Sequence, residues 1–150
     1  MSRPILVVIS GYFSPLHCGH LDMIEDAASR GDKLAVIVNN NAQQVLKKGK
    51  LIIDEADRLR IVLALRAVDE AMVAVDDDNT VSASIAEIAE AHPDHHIIFG
   101  NGGDRDSGAV VPESAVCDRY GIEMVFDMGG SHKRDSSSRI NQELGLEAPD

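Results

Sequence analysis

A chain of 150 residues, 44% of them hydrophobic, has the length of one ordinary domain built around one core. Its net charge of −11 points away from nucleic acid or an acidic membrane surface, because those partners need a clustered positive field. No stretch approaches the roughly 20 apolar residues of a membrane span, and Pro4 to Ser10 is too short for a signal segment, so the chain reads as soluble and cytoplasmic.

The first element is the continuously apolar, β-branched run Ile5 to Ile9, the pattern of a strand buried on both faces. Helical spacing follows in Leu21, Ile24, Ala27 and Ala28, then a second strand over Leu34 to Val38. Asp54 is placed as the N-cap of a helix over Glu55 to Ala67, whose Leu59, Val62, Leu63 and Ala67 share a face. Met72 to Val75 reads as the third strand. Thr80 is placed as the N-cap of a helix over Val81 to Ala91, and Pro93 stops it. His96 to Phe99 and Ile122 to Phe126 complete five strands, and Glu147 to Asp150 reads as a frayed acidic tail.

Alternation of this kind predicts an α/β fold: a three-layer Rossmann-like sandwich with a five-stranded parallel sheet and right-handed crossovers, in a single domain over 1–150. Cys18 and Cys117 lie far apart without a CxxC pairing and read as reduced fillers. Open parallel sheets bind ligands beyond the carboxyl ends of their strands. The loops to watch are therefore Ser10–His20, Asn39–Ile53, Asp76–Thr80, Gly100–Pro112 and Asp127–Arg139.

In the first of these loops His17 and His20 stand three apart at a helix start, on one face. Gly19 keeps the surface between them open, Gly11 lets the backbone approach a ligand, and the helix N-terminus favours an anion. An HxxH pair also reads as half of a metal site. The second loop gathers Lys47, Lys48 and Lys50, mobile point charges suited to a polyphosphate, with a solvated surface loop as the alternative.

The run Gly11-Tyr12-Phe13-Ser14-Pro15-Leu16-His17-Cys18-Gly19-His20 resembles the GxFDxxHxGH signature of the cytidylyltransferase-like nucleotidyltransferase superfamily. The resemblance extends over nearly the whole chain, through a lysine loop, an arginine-bearing helix, a Gly-Gly-Asp turn and a hydroxyl cluster before the last helix. It implies that His17 and His20 contact the α-phosphate region as pyrophosphate leaves, with no covalent nucleophile and no general base. Catalysis is then alignment plus electrostatic stabilisation.

The resemblance also implies that Gly11, Tyr12, Phe13 and Gly19 line the nucleotide site, and that Lys47 or Lys48 is the phosphate lysine. Arg58 matches an arginine turned toward the nucleotide or the substrate phosphate. The turn Gly102-Gly103-Asp104 is expected to meet base or ribose, and Ser136-Ser137-Ser138 the terminal phosphates at a helix N-terminus. Ser14 stands where the family usually has aspartate. Three consequences stay open: weaker Mg²⁺ dependence, a changed substrate position, or a harmless exchange that keeps a turn hydrogen bond.

Together these residues imply an enzyme using Mg²⁺ and CTP or ATP on a phosphorylated small-molecule acceptor (a polyol, sugar or amino-alcohol phosphate), with CTP favoured slightly. A homodimer is implied by the resemblance alone. A non-catalytic nucleotide-binding regulatory protein is the second class. A dinucleotide-dependent oxidoreductase is disfavoured, because no GxGxxG follows the first strand. Asp76-Asp77-Asp78 reads as an acidic turn, His92, His95 and His96 as loop and strand-start residues, and His132 as a loop residue.

Overall fold

A computed structural model describes residues 3–102, 112–128, 140–141 and 143–145. Along them run β1 (Ile5–Gly11), α1 (Cys18–Ser29), β2 (Lys33–Val38), α2 (Asn41–Lys48), α3 (Glu55–Leu63), β3 (Glu70–Val73), α4 (Ser82–Ala91), β4 (His96–Gly102), α5 (Ser114–Tyr120) and β5 (Glu123–Met128). The strands form one parallel sheet in the order β3-β2-β1-β4-β5. Among the described residues no helix is long and apolar enough to cross a membrane.

The apolar runs lack alternation because both faces of the sheet are covered. Leu6, Val8, Ala35, Ile37 and Phe99 share one core with Ile85, Ile88 and Ala89 of α4 and Cys117 of α5. Their neighbours in sequence, Val7, Ile9, Leu34, Val36 and Val38, share the other with Ile24 and Ala27 of α1 and Val62 of α3. Each fully buried aliphatic side chain contributes about 1.5–3 kcal/mol relative to exposure. This is the three-layer Rossmann-like arrangement. The chain winds outward through β2 and β3, then crosses back to β4 on the far side of β1, so the loops after β1 and β4 diverge.

Several boundaries differ from the sequence expectation. The segment after β2, expected as a loop, contains α2, and α5 is a further helix absent from that expectation. The third helix stops at Leu63 rather than Ala67, because Leu65 N–H bonds the Val62 carbonyl three residues back (3.1 Å), a tightening that ends the α ladder. Asp54 does cap α3, accepting from Ala56 N–H at 2.9 Å.

Thr80 is not the N-cap residue of α4, although its Oγ1 accepts from Ser82 N–H at 3.4 Å. The N-cap is Val81, with no side-chain cap of its own, and the buried carboxylate of Asp76 takes the role from a distance. It accepts from Ala83 N–H (2.7 Å), Ser84 N–H (3.2 Å) and Ser84 Oγ (2.5 Å). The acidic turn is therefore a helix anchor. Asp76→Ala strands these donors, and urea unfolding should register a loss of about 2–3 kcal/mol. A loss under a few tenths would mean the cap carries nothing.

Candidate active site

β1 delivers its carboxyl end into the loop Tyr12 to His17. Phe13 takes a left-handed backbone (φ 52), uncommon for an aromatic residue, and its ring is buried in the core beside Ile9 and Ile24. The ring meets the His20 imidazole edge to face, with centroids 4.9 Å apart. Phe13, expected from the sequence to line the nucleotide site, is buried and packs behind His20. Gly11 likewise serves the chain itself, because a Cβ there would come within 2.8 Å of the Phe13 ring.

His17 is the N-cap of α1, and His20 is its third helical residue. Gly19 N–H donates to His17 Nδ1 at 3.0 Å, and His17 N–H donates to His20 Nδ1 at 3.2 Å. The rings stack with centroids 3.9 Å apart. A nitrogen that accepts a backbone N–H carries no proton, so each neutral imidazole holds its proton on Nε2. The pair is thus set as two parallel N–H donors at a helix N-terminus, where the backbone dipole adds positive potential. Such an arrangement suits an anion chemically.

α2 begins at Asn40, whose Oδ1 accepts from Gln43 N–H (2.9 Å), while Gln43 Oε1 accepts from Asn40 N–H (2.9 Å). Gly49 ends it in the left-handed region. Asn40-x-x-Gln43 with a closing Gly49 is a capping-box helix signature, and it is the signal for α2 that the sequence carries. Gln43 Nε2 also donates to the Asp78 and Thr80 carbonyls, and Asn40 Nδ2 to those of Ala74 and Asp76. These bonds tie α2 to the acidic turn. Lys47 and Lys48 therefore sit on the last helical turn rather than in a loop, and Lys47 Nζ lies 4.6 Å from the centre of the Tyr12 ring. Lys47 faces the β1 loop.

Arg58, read from sequence as a ligand, is fully buried in α3. Its Nε donates to the Ile53 carbonyl (2.8 Å), Nη1 to those of Tyr12 (3.0 Å) and Asn39 (2.5 Å), and Nη2 to Asn41 Oδ1 (3.1 Å). Burial pulls its pKa down, opposed by the charges of Glu55 and Asp54. The guanidinium clamps the β1 and β2 loops together and turns no open fork toward a ligand.

Residues 8–140 match the model of the cytidylyltransferase-like family. The chain belongs to that family. It is 35% identical over 128 residues to the FAD synthase of Natrialba magadii, across 83% of this chain and 78% of that protein. To the bifunctional protein HldE of Streptomyces coelicolor it is 34% identical over 123 residues, 81% of this chain but only 25% of that one. The fold is shared with a lipopolysaccharide core biosynthesis protein of Thermoplasma volcanium, at TM-score 0.62 and 24% identity over 82% of this chain and 95% of the other.

The remaining landmarks of this nucleotidyltransferase family divide between described and undescribed residues. Gly102 closes β4 opposite Met128 of β5. Gly103, Asp104, His132 and Ser136-Ser137-Ser138 lie outside the described residues. Ser14 keeps no turn hydrogen bond through its side chain: the buried Oγ has no partner, and it is the Ser14 carbonyl that accepts from Asn141 Nδ2 at 2.9 Å. His92, His95 and His96 pair with Glu70, Asp94 and Glu123 at 3.3, 3.0 and 3.4 Å. Glu70, His96 and Glu123 start their strands, so that group lies at the opposite end of the sheet. Cys18 is exposed beside His17, whereas burial pushes the Cys117 thiol up to about 11.

Proposed function

We propose that the chain transfers a nucleoside monophosphate from a nucleoside triphosphate to the phosphate oxygen of a phosphorylated small molecule. That oxygen attacks the α-phosphorus in line, the bond to the β-phosphate bridging oxygen breaks, and pyrophosphate leaves with the electron pair. The observation that carries this reading is the fixed His17–His20 pair. Its two Nε2–H donors stabilise negative charge that grows on the α-phosphate and the leaving oxygen, and they need no reorganisation as it grows. With both Nδ1 atoms occupied by backbone N–H groups, the pair donates and does not act as a base at those nitrogens. Lys47 adds a mobile charge for the departing phosphates.

Among the described residues no group of three or more His, Cys, Asp or Glu side chains is arranged to hold a metal ion. Mg²⁺ would enter with the nucleotide as part of the substrate and would neutralise phosphate charge. ATP is the favoured donor: an FAD synthase makes an adenine dinucleotide, and likeness to one supports AMP over CMP transfer despite the slight sequence preference for CTP.

The test is pyrophosphate release with Mg²⁺ and ATP or CTP across sugar, polyol, amino-alcohol and flavin phosphates. Release that requires one acceptor supports the reading, and a preference for CTP would reverse the choice of donor. The orphaned Ser14 hydroxyl, in the aspartate position, motivates the second reading, a non-catalytic nucleotide-binding protein. Nucleotide binding without release from any acceptor would favour it.

A further inference from the structure

Lys47 is exposed, and an exposed lysine on its long, freely rotating stem spreads over many positions. Its charge serves departing phosphates only from the positions that face them. In this chain one position is marked: Nζ lies 4.6 Å from the centre of the Tyr12 ring, within the range at which the negative face of an aromatic ring attracts an ammonium. An ammonium held to a ring by one side can still donate N–H bonds to oxygen acceptors from the other.

The two partners meet because the backbone under each of them is fixed. β1 and β2 pair to their last residues, Gly11 opposite Val38, so the segments that follow them are neighbours. Arg58 bonds both sides of the contact. Its Nη1 donates to the Tyr12 carbonyl (3.0 Å) and to that of Asn39, and its Nη2 donates to Asn41 Oδ1 (3.1 Å) at the first residue of α2. The backbone of the ring and the base of the helix that carries the lysine therefore hang on one buried guanidinium. Tyr12 is half-buried and opens the loop that leads to His17, so a lysine held on its ring is held relative to the histidine pair.

We propose that Tyr12 is a positioning residue for nucleotidyl transfer, whose ring face holds the Lys47 ammonium over the β1 loop so that its charge is in place as pyrophosphate leaves. The proposal rests on the transfer reading of the histidine pair. Tyr12 acts here through Lys47 and touches no reacting atom. An exposed lysine over a ring favours the held position by about two- to fivefold, which sets the size of the effect.

The test is pyrophosphate release by chains carrying phenylalanine or ring-fluorinated phenylalanine at position 12, with the acceptor that wild-type turnover identifies. Tyr12→Phe keeps the ring face and should hold kcat within about twofold of wild type. Fluorination keeps the ring shape and drains its negative face, so kcat should fall about two- to fivefold below Tyr12→Phe while the melting temperature stays with it. Tyr12→Leu should lose a similar factor in the native chain and nothing further in Lys47→Met. Equal rates with the two rings, or a faster rate with the fluorinated one, overturn the proposal. A Tyr12→Leu loss that persists in Lys47→Met also overturns it, since the side chain then works without the lysine. If Tyr12→Leu does not fold, the pair of rings decides alone. A Lys47→Met chain as fast as wild type overturns the proposal and leaves the transfer reading to the histidines, whereas absence of release from wild type with every acceptor overturns the transfer reading and the proposal with it.

Discussion

His17→Asn is expected to lower pyrophosphate release about 10²–10³-fold, the usual cost of removing one preorganised donor from a developing oxyanion, while the melting temperature stays near wild type. The separation follows from the two jobs of His17. Its Nδ1 caps α1 through Gly19 N–H, and asparagine is among the best N-caps, so its side-chain oxygen replaces that bond. Nothing in asparagine replaces the Nε2–H. His17→Ala should lose the same activity and in addition about 1 kcal/mol of stability, or roughly 3 °C for a chain this long. Steady-state release and thermal melting on the two variants make the comparison. Full activity in His17→Asn would remove His17 from the chemistry and leave it a helix cap.

Arg58→Met should be the most damaging substitution for folding. It removes four hydrogen bonds and strips the buried Asn39 carbonyl and the part-buried Ile53 and Tyr12 carbonyls of this donor. The expected loss is about 3–5 kcal/mol, a large fraction of a typical domain's stability. Arg58→Lys should recover little, because one ammonium cannot span acceptors that the guanidinium reaches from three different nitrogens. Denaturant unfolding reads both. A ligand arginine would behave otherwise: stability would hold and the nucleotide KM would rise, and that outcome would return Arg58 to the binding role its sequence position suggests.

These two residues also show which features are local in the sequence and which are not. His17 and His20 are legible because spacing, a helix start and a preceding strand are all local features. The strands are legible for a similar reason: runs such as Leu34 to Val38 are apolar throughout because both sheet faces are covered. α2 is legible in principle from Asn40, Gln43 and Gly49, but its outward apolar face disguises it. The roles of Arg58 and Asp76 are not local. Arg58 bonds Tyr12 across 46 positions, and Asp76 caps a helix seven residues on. That both amide atoms of the buried Gln44 lack a hydrogen-bond partner is likewise a property of its surroundings, with no signature in the string of residues.

The two thiols differ in a way that makes the native chain its own probe. Alkylation at neutral pH acts on thiolate, which the buried Cys117, pushed up to about 11, scarcely forms. A maleimide or iodoacetamide reagent should therefore mark Cys18 alone, at the first residue of α1 between His17 and Gly19. A dye attached there would report occupancy of the anion seat without any engineered cysteine, and protection of Cys18 from labelling would measure nucleotide binding before the acceptor is known.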